Sequence, residues 1–122
     1  IVSQEQAMDI VRKADFSVLL RPNKRYAKAG FPTKFVESFS VGTPVIANHT
    51  SDLAKYLKDE VTGLVCENES VESMYKGLSR IRNLDKTQIY KMRVNARATS
   101  LANFSYESTN DAIYSFMSRL KK

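Results

Sequence analysis

Three short apolar runs alternate with stretches of helical periodicity along this chain, and that alternation restricts the fold more than any other feature. Phe16-Ser17-Val18-Leu19-Leu20 ends at Arg21-Pro22-Asn23, and Pro44-Val45-Ile46-Ala47 and Gly63-Leu64-Val65-Cys66 follow. Each run has the length of a buried strand. Around them, apolar residues recur at helical spacing: Ala7, Ile10, Val11 and Ala14 before the first run, and Phe35, Val36 and Phe39 before the second. Gly42 stands where a glycine commonly closes a helix. Ser51-Asp52 read as the cap of a short helix through Tyr56 and Leu57. Residues 23–32 show no periodicity and contain Gly30 and Pro32, so they read as a loop. Short strands alternating with helices predict a parallel sheet covered on both faces, with the three strands adjacent in chain order. Right-handed crossovers place the strand ends on one edge, where open α/β sheets bind ligands.

Beyond the third run the pattern is helical. Val71, Met74, Tyr75, Leu78 and Ile81 form one apolar stripe, and Ile89, Met92 and Ala96 form another. Ile113, Phe116, Met117 and Leu120 form a third, after a helix start at Phe104-Ser105. The Met and aromatic residues of these stripes read as core. The expectation is one domain over residues 1–122: an α/β, partial Rossmann-like parallel sheet with a helical C-terminal tail.

Composition bounds the function. The chain has 122 residues and no apolar run approaching the ~20 residues of a membrane-spanning helix. Its first residues lack the basic and apolar regions of a signal peptide. The absence of a starting Met fits excision from something longer. Cys66 is the single cysteine, which rules out an internal disulfide, and no metal-site spacing accompanies it. It reads as a small buried strand residue in a reducing, cytoplasmic setting. His49 follows the second run without a second ligand or nucleophile nearby in sequence; it reads as a turn residue or a neighbour of the binding edge.

The net charge is +6, and the basic residues are clustered. Arg21, Lys24, Arg25, Lys28 and Lys34 lie together with no acid among them, and a second surplus lies toward the C-terminus. Such patches attract nucleic acid, anionic lipid or phosphorylated small molecules, and the second surplus equally reads as a solvated face.

The chemically informative stretch runs from Gly30 through Phe31, Pro32, Thr33 and Lys34 to Glu37. A loop leaves a strand end, passes a glycine and enters a helix. Gly30 suits close backbone approach to a ligand or a positive φ. Pro32 has no N–H to leave unpaired at a helix start. Free first-turn amides and the helix dipole attract an anion such as a diphosphate, and five nearby cations add to that field. Glu37 falls about one turn into the helix, where a carboxylate accepts hydrogen bonds from ribose hydroxyls. The same residues also read as a plain turn and a solvated helix acid.

A family resemblance favours the ligand reading. The stretch from Ala14-Asp15-Phe16 to Leu20, the segment from Gly30 to Glu37, Gly42-Thr43-Pro44-Val45-Ile46, Gly63-Leu64-Val65 and the Phe104-Ser105-Tyr106-Glu107 junction resemble the C-terminal domain of retaining family-4 glycosyltransferases of GT-B fold. Pro32-Thr33-Lys34-Phe35-Val36-Glu37 is similar to a Pro-x-Lys-x-x-Glu subgroup. The resemblance implies that Glu37 holds the donor ribose, and that Gly30, Phe31, Pro32, Thr33 and Lys34 meet the diphosphate or donor sugar. Arg21, Lys24, Arg25 and Lys28 are then anion-attracting neighbours, and the catalytic residues stay unassigned. Ala29 stands where the family has its first motif glutamate, which helps position the donor sugar.

The resemblance further implies a fragment of a nucleotide-sugar-binding domain. Upstream strands and the acceptor domain would be missing, and the isolated fragment would be inactive. It implies no metal or organic cofactor. The partners would be a nucleotide-sugar donor and a glycan or lipid-linked acceptor, with no nucleic acid. The setting would be surface polysaccharide or lipid-linked glycan synthesis, in the cytoplasm or at the inner face of the membrane through peripheral contact. The first strand, without its upstream neighbour, would offer an exposed edge for self-association. The alternative reading is a noncatalytic basic module that binds nucleic acid or anionic membrane.

Overall fold

The computed structural model describes residues 1–120. Helix α1 (Gln4–Lys13) begins with a capping box, in which Ser3 Oγ accepts from Gln6 N and Gln6 Oε1 accepts from Ser3 N. Strands β1 (Ser17–Leu19), β2 (Val45–Asn48) and β3 (Gly63–Cys66) form one sheet in that order, all parallel. The predicted neighbours and directions therefore hold. Gly63 opposes Val45 in register, and a Cβ there would lie 2.1 Å from Val45 O. Only glycine allows the two strands to close at that point.

Between β1 and β2 lie helices α2 (Arg25–Ala29) and α3 (Thr33–Ser40). Helix α2 corrects the loop expected over residues 23–32. At five residues it is too short to display a period, and its buried Ala27 and its packing on the turn after β2 hold it. Helix α3 begins at Thr33 and ends as expected, with Gly42 at a φ of 72°. A 3-10 turn, Ser51–Lys55, follows β2. The cap expected from Ser51-Asp52 is not made: Thr50 takes the cap position without a side-chain bond, and Ser51 itself has a φ of 53°.

Helices α4 (Val71–Ile81), α5 (Lys86–Asn103) and α6 (Tyr106–Leu120) complete the chain. Asp85 and Gln88 form a capping box on α5, and Ser105 Oγ accepts from Ser108 N at the start of α6. No helix among the described residues is long and apolar enough to cross a membrane.

Side chains alternate along β2 and divide the core. Val45 and Ala47 join Phe35, Phe39, Leu53, Leu57 and Ala96 on one face, while Ile46 joins Leu64, Cys66 and Met92 on the other. Full burial of a Leu, Ile or Phe side chain contributes roughly 1.5–3 kcal/mol, so these two clusters dominate the stability. Helix α5 reaches both clusters through Met92 and Ala96.

Of the stripes expected in the core, that of α6 faces solvent, and that of α4 does so in large part, with Ile81 packed against the second cluster and Met74 half-buried. Helix α4 buries Ser73 and Gly77, while Val71 is 88% and Tyr75 68% exposed. Close approach explains this, since a Cβ on Gly77 would lie 2.7 Å from Cys66 Sγ. The small-residue face lets the helix sit tight on β3 and turns the larger side chains outward. On α6, Ile113, Phe116, Met117 and Leu120 are all exposed, because α6 meets the domain chiefly through α5.

The two sheet edges differ. At β3, Val65 N donates to Asp59 Oδ1 at 2.8 Å and Val65 O accepts from Arg80 at 3.4 Å. Arg80 also pairs with Asp59 and Glu60 at 2.8 and 2.7 Å. Burial pushes the Asp59 carboxyl up, but hydrogen bonds from Arg80 and Val65 N and the Arg80 charge outweigh it and hold the group below 3.8. Those hydrogen bonds from Arg80 to Asp59 and Glu60 push the guanidinium higher still. Burial likewise raises the Cys66 thiol. At the other edge, β1 has no strand beyond it among the described residues, and Val18 is half exposed.

Candidate functional site

Parallel strands bring their C-terminal ends to one edge, and hydrogen bonds tie the loops that leave it. Asn48, buried at the end of β2, clamps the Arg21 backbone: Arg21 N donates to Asn48 Oδ1 at 2.9 Å, and Asn48 Nδ2 donates to Arg21 O at 2.8 Å. Asn23 N donates to Glu69 Oε1 at 3.4 Å, joining the loops after β1 and β3. The Arg21 guanidinium donates to Gly30 O at 3.0 Å and so holds the turn that precedes α3. Arg21, read from sequence as an anion-attracting neighbour, is thus also a strut of this turn. Sequence reasoning missed Asn48; its only signal was a polar residue at the end of an apolar strand.

The turn itself is held through Phe31. Its ring meets Phe35 at 5.8 Å, Tyr56 at 5.6 Å and Phe104 at 5.7 Å between centroids, the first two edge to face. Gly30 does not use the positive φ open to glycine; its φ is −127°, and an added Cβ would meet nothing within 4 Å. Pro32 occupies the cap position of α3 and provides no side-chain bond, and no acid lies in the first turn. The N-terminus of α3 is therefore uncapped by a side chain and keeps its positive end open to an anion.

Lys24, Arg25 and Lys28 are exposed around α2 and form no ion pair among the described residues. Lys34 is paired, its Nζ 2.8 Å from Glu37 Oε2, with the lysine well exposed. Glu37 lies one turn into α3, half-buried, on the wall of a groove of about 360 Å³ along the open edge of β1. Ile10, Val11, Val18 and Ser38 line this groove too. Gly30, Phe31, Pro32 and Thr33 are not among the residues that line this groove. His49 is exposed after β2, its Nε2 3.3 Å from Leu57 O. No group of three or more potential metal ligands occurs among the described residues.

The model of the family "Glycosyl transferases group 1" matches residues 2–99. The chain belongs to the group 1 glycosyl transferases. No curated protein sequence matches this group 1 chain. Among solved structures, sucrose-phosphate synthase from Thermosynechococcus elongatus is similar at 21% identity with a TM-score of 0.74, covering 98% of this chain and 28% of that one. Anabaena HepE in complex with UDP-glucose is similar at 17% identity and a TM-score of 0.69, covering 90% and 29%. The C-terminal domain of a group 1 glycosyl transferase from Francisella tularensis is similar at 18% and 0.70, covering 87% and 51%. This group 1 chain thus shares their fold, and it spans less than a third of the first two chains and about half of that C-terminal domain.

Proposed function

We propose that this chain is the donor-binding part of a retaining glycosyltransferase of the Pro-x-Lys-x-x-Glu kind. The enzyme moves a sugar from a nucleotide-sugar to an acceptor hydroxyl, releasing the nucleoside diphosphate. The observation that carries the reading is the family match across residues 2–99 together with Glu37 one turn below the uncapped start of α3. The solved relative with bound UDP-glucose supports the nucleotide-sugar as donor. The family match also favours a transferase over a noncatalytic basic module.

In this reading the diphosphate meets the backbone amides at residues 31–34, where the helix dipole and Lys24, Arg25 and Lys28 offset its charge. During transfer the bond from the anomeric carbon to the leaving phosphate oxygen breaks, a bond to the acceptor oxygen forms on the same face, and the acceptor hydroxyl's proton passes to the departing phosphate. Negative charge grows on the departing diphosphate, so donors already aimed at it stabilise the transition state. Glu37 accepts from two ribose hydroxyls, with Lys34 released toward phosphate. Ala29 leaves positioning of the sugar to other groups. The acceptor is a glycan or lipid-linked hydroxyl bound by a further domain, in surface polysaccharide or lipid-linked glycan synthesis on the cytoplasmic side.

The test is calorimetry of the full-length enzyme with UDP and its 2′,3′-dideoxy analogue. Charge-assisted hydrogen bonds contribute about 1.5–3 kcal/mol each. Glu37→Ala is expected to weaken UDP at least about tenfold, or ~1.4 kcal/mol, and Glu37→Gln to weaken it less. If the basic field alone bound the ligand, removing a negative charge beside Lys34 would leave affinity unchanged or tighter. Equal binding of UDP by wild type and Glu37→Ala, or indifference to the ribose hydroxyls, would refute the role of Glu37.

A further inference from the structure

We propose that Phe104, at the junction of α5 and α6, is a positioning residue for the turn at residues 30–33. The proposal rests on the donor-binding reading above. It follows from how little else holds that turn. Gly30 has open space on its side-chain face, and Pro32 gives α3 no side-chain cap. Beyond the backbone bond from Phe35 N to Pro32 O that starts α3, two attachments tie the turn to other elements among the described residues: the bond from Arg21 to Gly30 O, and the ring of Phe31.

Phe31 sits among three rings of unequal security. Phe35 is fully buried in the core and cannot yield. Tyr56 and Phe104 are half-buried and lean on each other, with centroids 4.7 Å apart. Phe104 reaches the cage from far along the chain, and Phe104 N is anchored by a bond to Ser100 O at 2.8 Å. Its ring also meets Phe35 edge to face at 6.4 Å. Phe104 is thus the wall that ties the end of α5 to the turn. Remove it, and Phe31 gains rotamer freedom and Tyr56 loses its closest aromatic neighbour. The amides that follow Phe31 then lose the fixed geometry that binding a diphosphate requires. Phe104 touches no donor in this account; it acts through Phe31.

The experiment uses the full-length protein with Phe104→Ala, Phe104→Leu and Phe104→Tyr, and UDP as the probe. Hydrogen exchange is read at the amides of Phe31, Thr33 and Lys34 and at those of β2, with donor KM and kcat measured alongside. Ile46→Val, in the opposite core cluster, controls for stability alone. Phe104→Ala is expected to speed exchange at the turn and leave β2 unchanged. It should weaken UDP and raise donor KM about tenfold, equivalent to ~1.4 kcal/mol, with acceptor KM unaffected. Phe104→Tyr should restore both, and Phe104→Leu, which tolerates loss of the ring better than Ala, should fall between.

Several outcomes would overturn the proposal. One is wild-type UDP affinity in a folded Phe104→Ala or, if that variant does not fold, in Phe104→Leu. Another is exchange that rises equally in β2 and the turn, and a third is an Ile46→Val control that weakens UDP as much. UDP binding lost with Glu37→Ala but untouched by Phe104 changes overturns the proposal and leaves the donor reading standing. A wild type that binds neither UDP nor any other nucleoside diphosphate overturns both.

Discussion

A methyl group added at Gly77 should set helix propensity against packing, and the structure says which wins. Alanine is favoured over glycine inside a helix by about 1 kcal/mol. The new Cβ, however, would lie 2.7 Å from Cys66 Sγ and 3.7 Å from Ile46 Cγ2. Unstrained carbon contacts lie at about 3.5–4.0 Å, so the overlap with sulfur is on the order of 1 Å. Cys66 is 3% exposed and Ile46 fully buried, so neither can swing away into water. Overpacking of this kind costs about 1–3 kcal/mol. The net effect of Gly77→Ala is therefore a destabilisation of roughly 0–2 kcal/mol. The cleaner quantity is the coupling to Cys66→Ala. Alone, that change empties a sulfur-sized space and costs about 1 kcal/mol. In the double variant the methyl introduced by Gly77→Ala occupies that space without a clash, and the helix keeps its gain. The pair should thus be more stable than Cys66→Ala alone, with a coupling energy near −2 kcal/mol, inside the usual range of about 0.5–3 for contacting residues. Urea melts of the four proteins by far-UV circular dichroism measure it, since the chain has no tryptophan. Additivity within ~0.5 kcal/mol, or a Gly77→Ala variant stabilised by the full propensity, would refute the packing argument.

Two further outcomes follow from the sheet edges. Asp59 titrates below its ordinary value in the fold, so its contribution is complete above the unfolded pKa and disappears as pH falls through the lower folded one. The stability gap between wild type and Asp59→Asn should stay constant from neutrality to about pH 5 and close below about pH 4; a gap that persists in acid would contradict this. The bare edge of β1, beside an apolar groove, should make this chain self-associate at high concentration, and Val18→Lys should oppose it. Sedimentation that finds only monomer in the unsubstituted chain would rule that out.

Much of the architecture is legible locally. The strand runs at residues 16–20, 44–47 and 63–66 announce themselves by length and apolarity, and each became a strand to within one or two residues. The closing Gly42 does its work within a few neighbours. The position of Glu37 on α3 is equally local, because the helix start at Thr33 dictates it. Helix α2 escaped notice because five residues carry no period, and Ala27 is helical through what it packs against.

The sequence by itself determined the three strands, the longer helices, their order and the parallel sheet, because periodicity and caps act through backbone geometry over three or four residues. Tertiary structure alone decided which faces are buried. The stripes of α4 and α6 have helical spacing as regular as that of α5, yet only α5 fully buries residues of its own, Met92 and Ala96, while α4 packs Ile81 against the core and exposes Val71, Tyr75 and Leu78. Periodicity says that a helix has an apolar face; what covers it depends on which neighbour comes close. Here Gly77 draws α4 onto Cys66 by its smaller face. The same holds at the site, where Arg21 braces the turn through Gly30 O and Phe31 is fixed by Tyr56 and Phe104. These partners lie 9 to 73 residues apart in the chain, and only the packed fold brings them within reach.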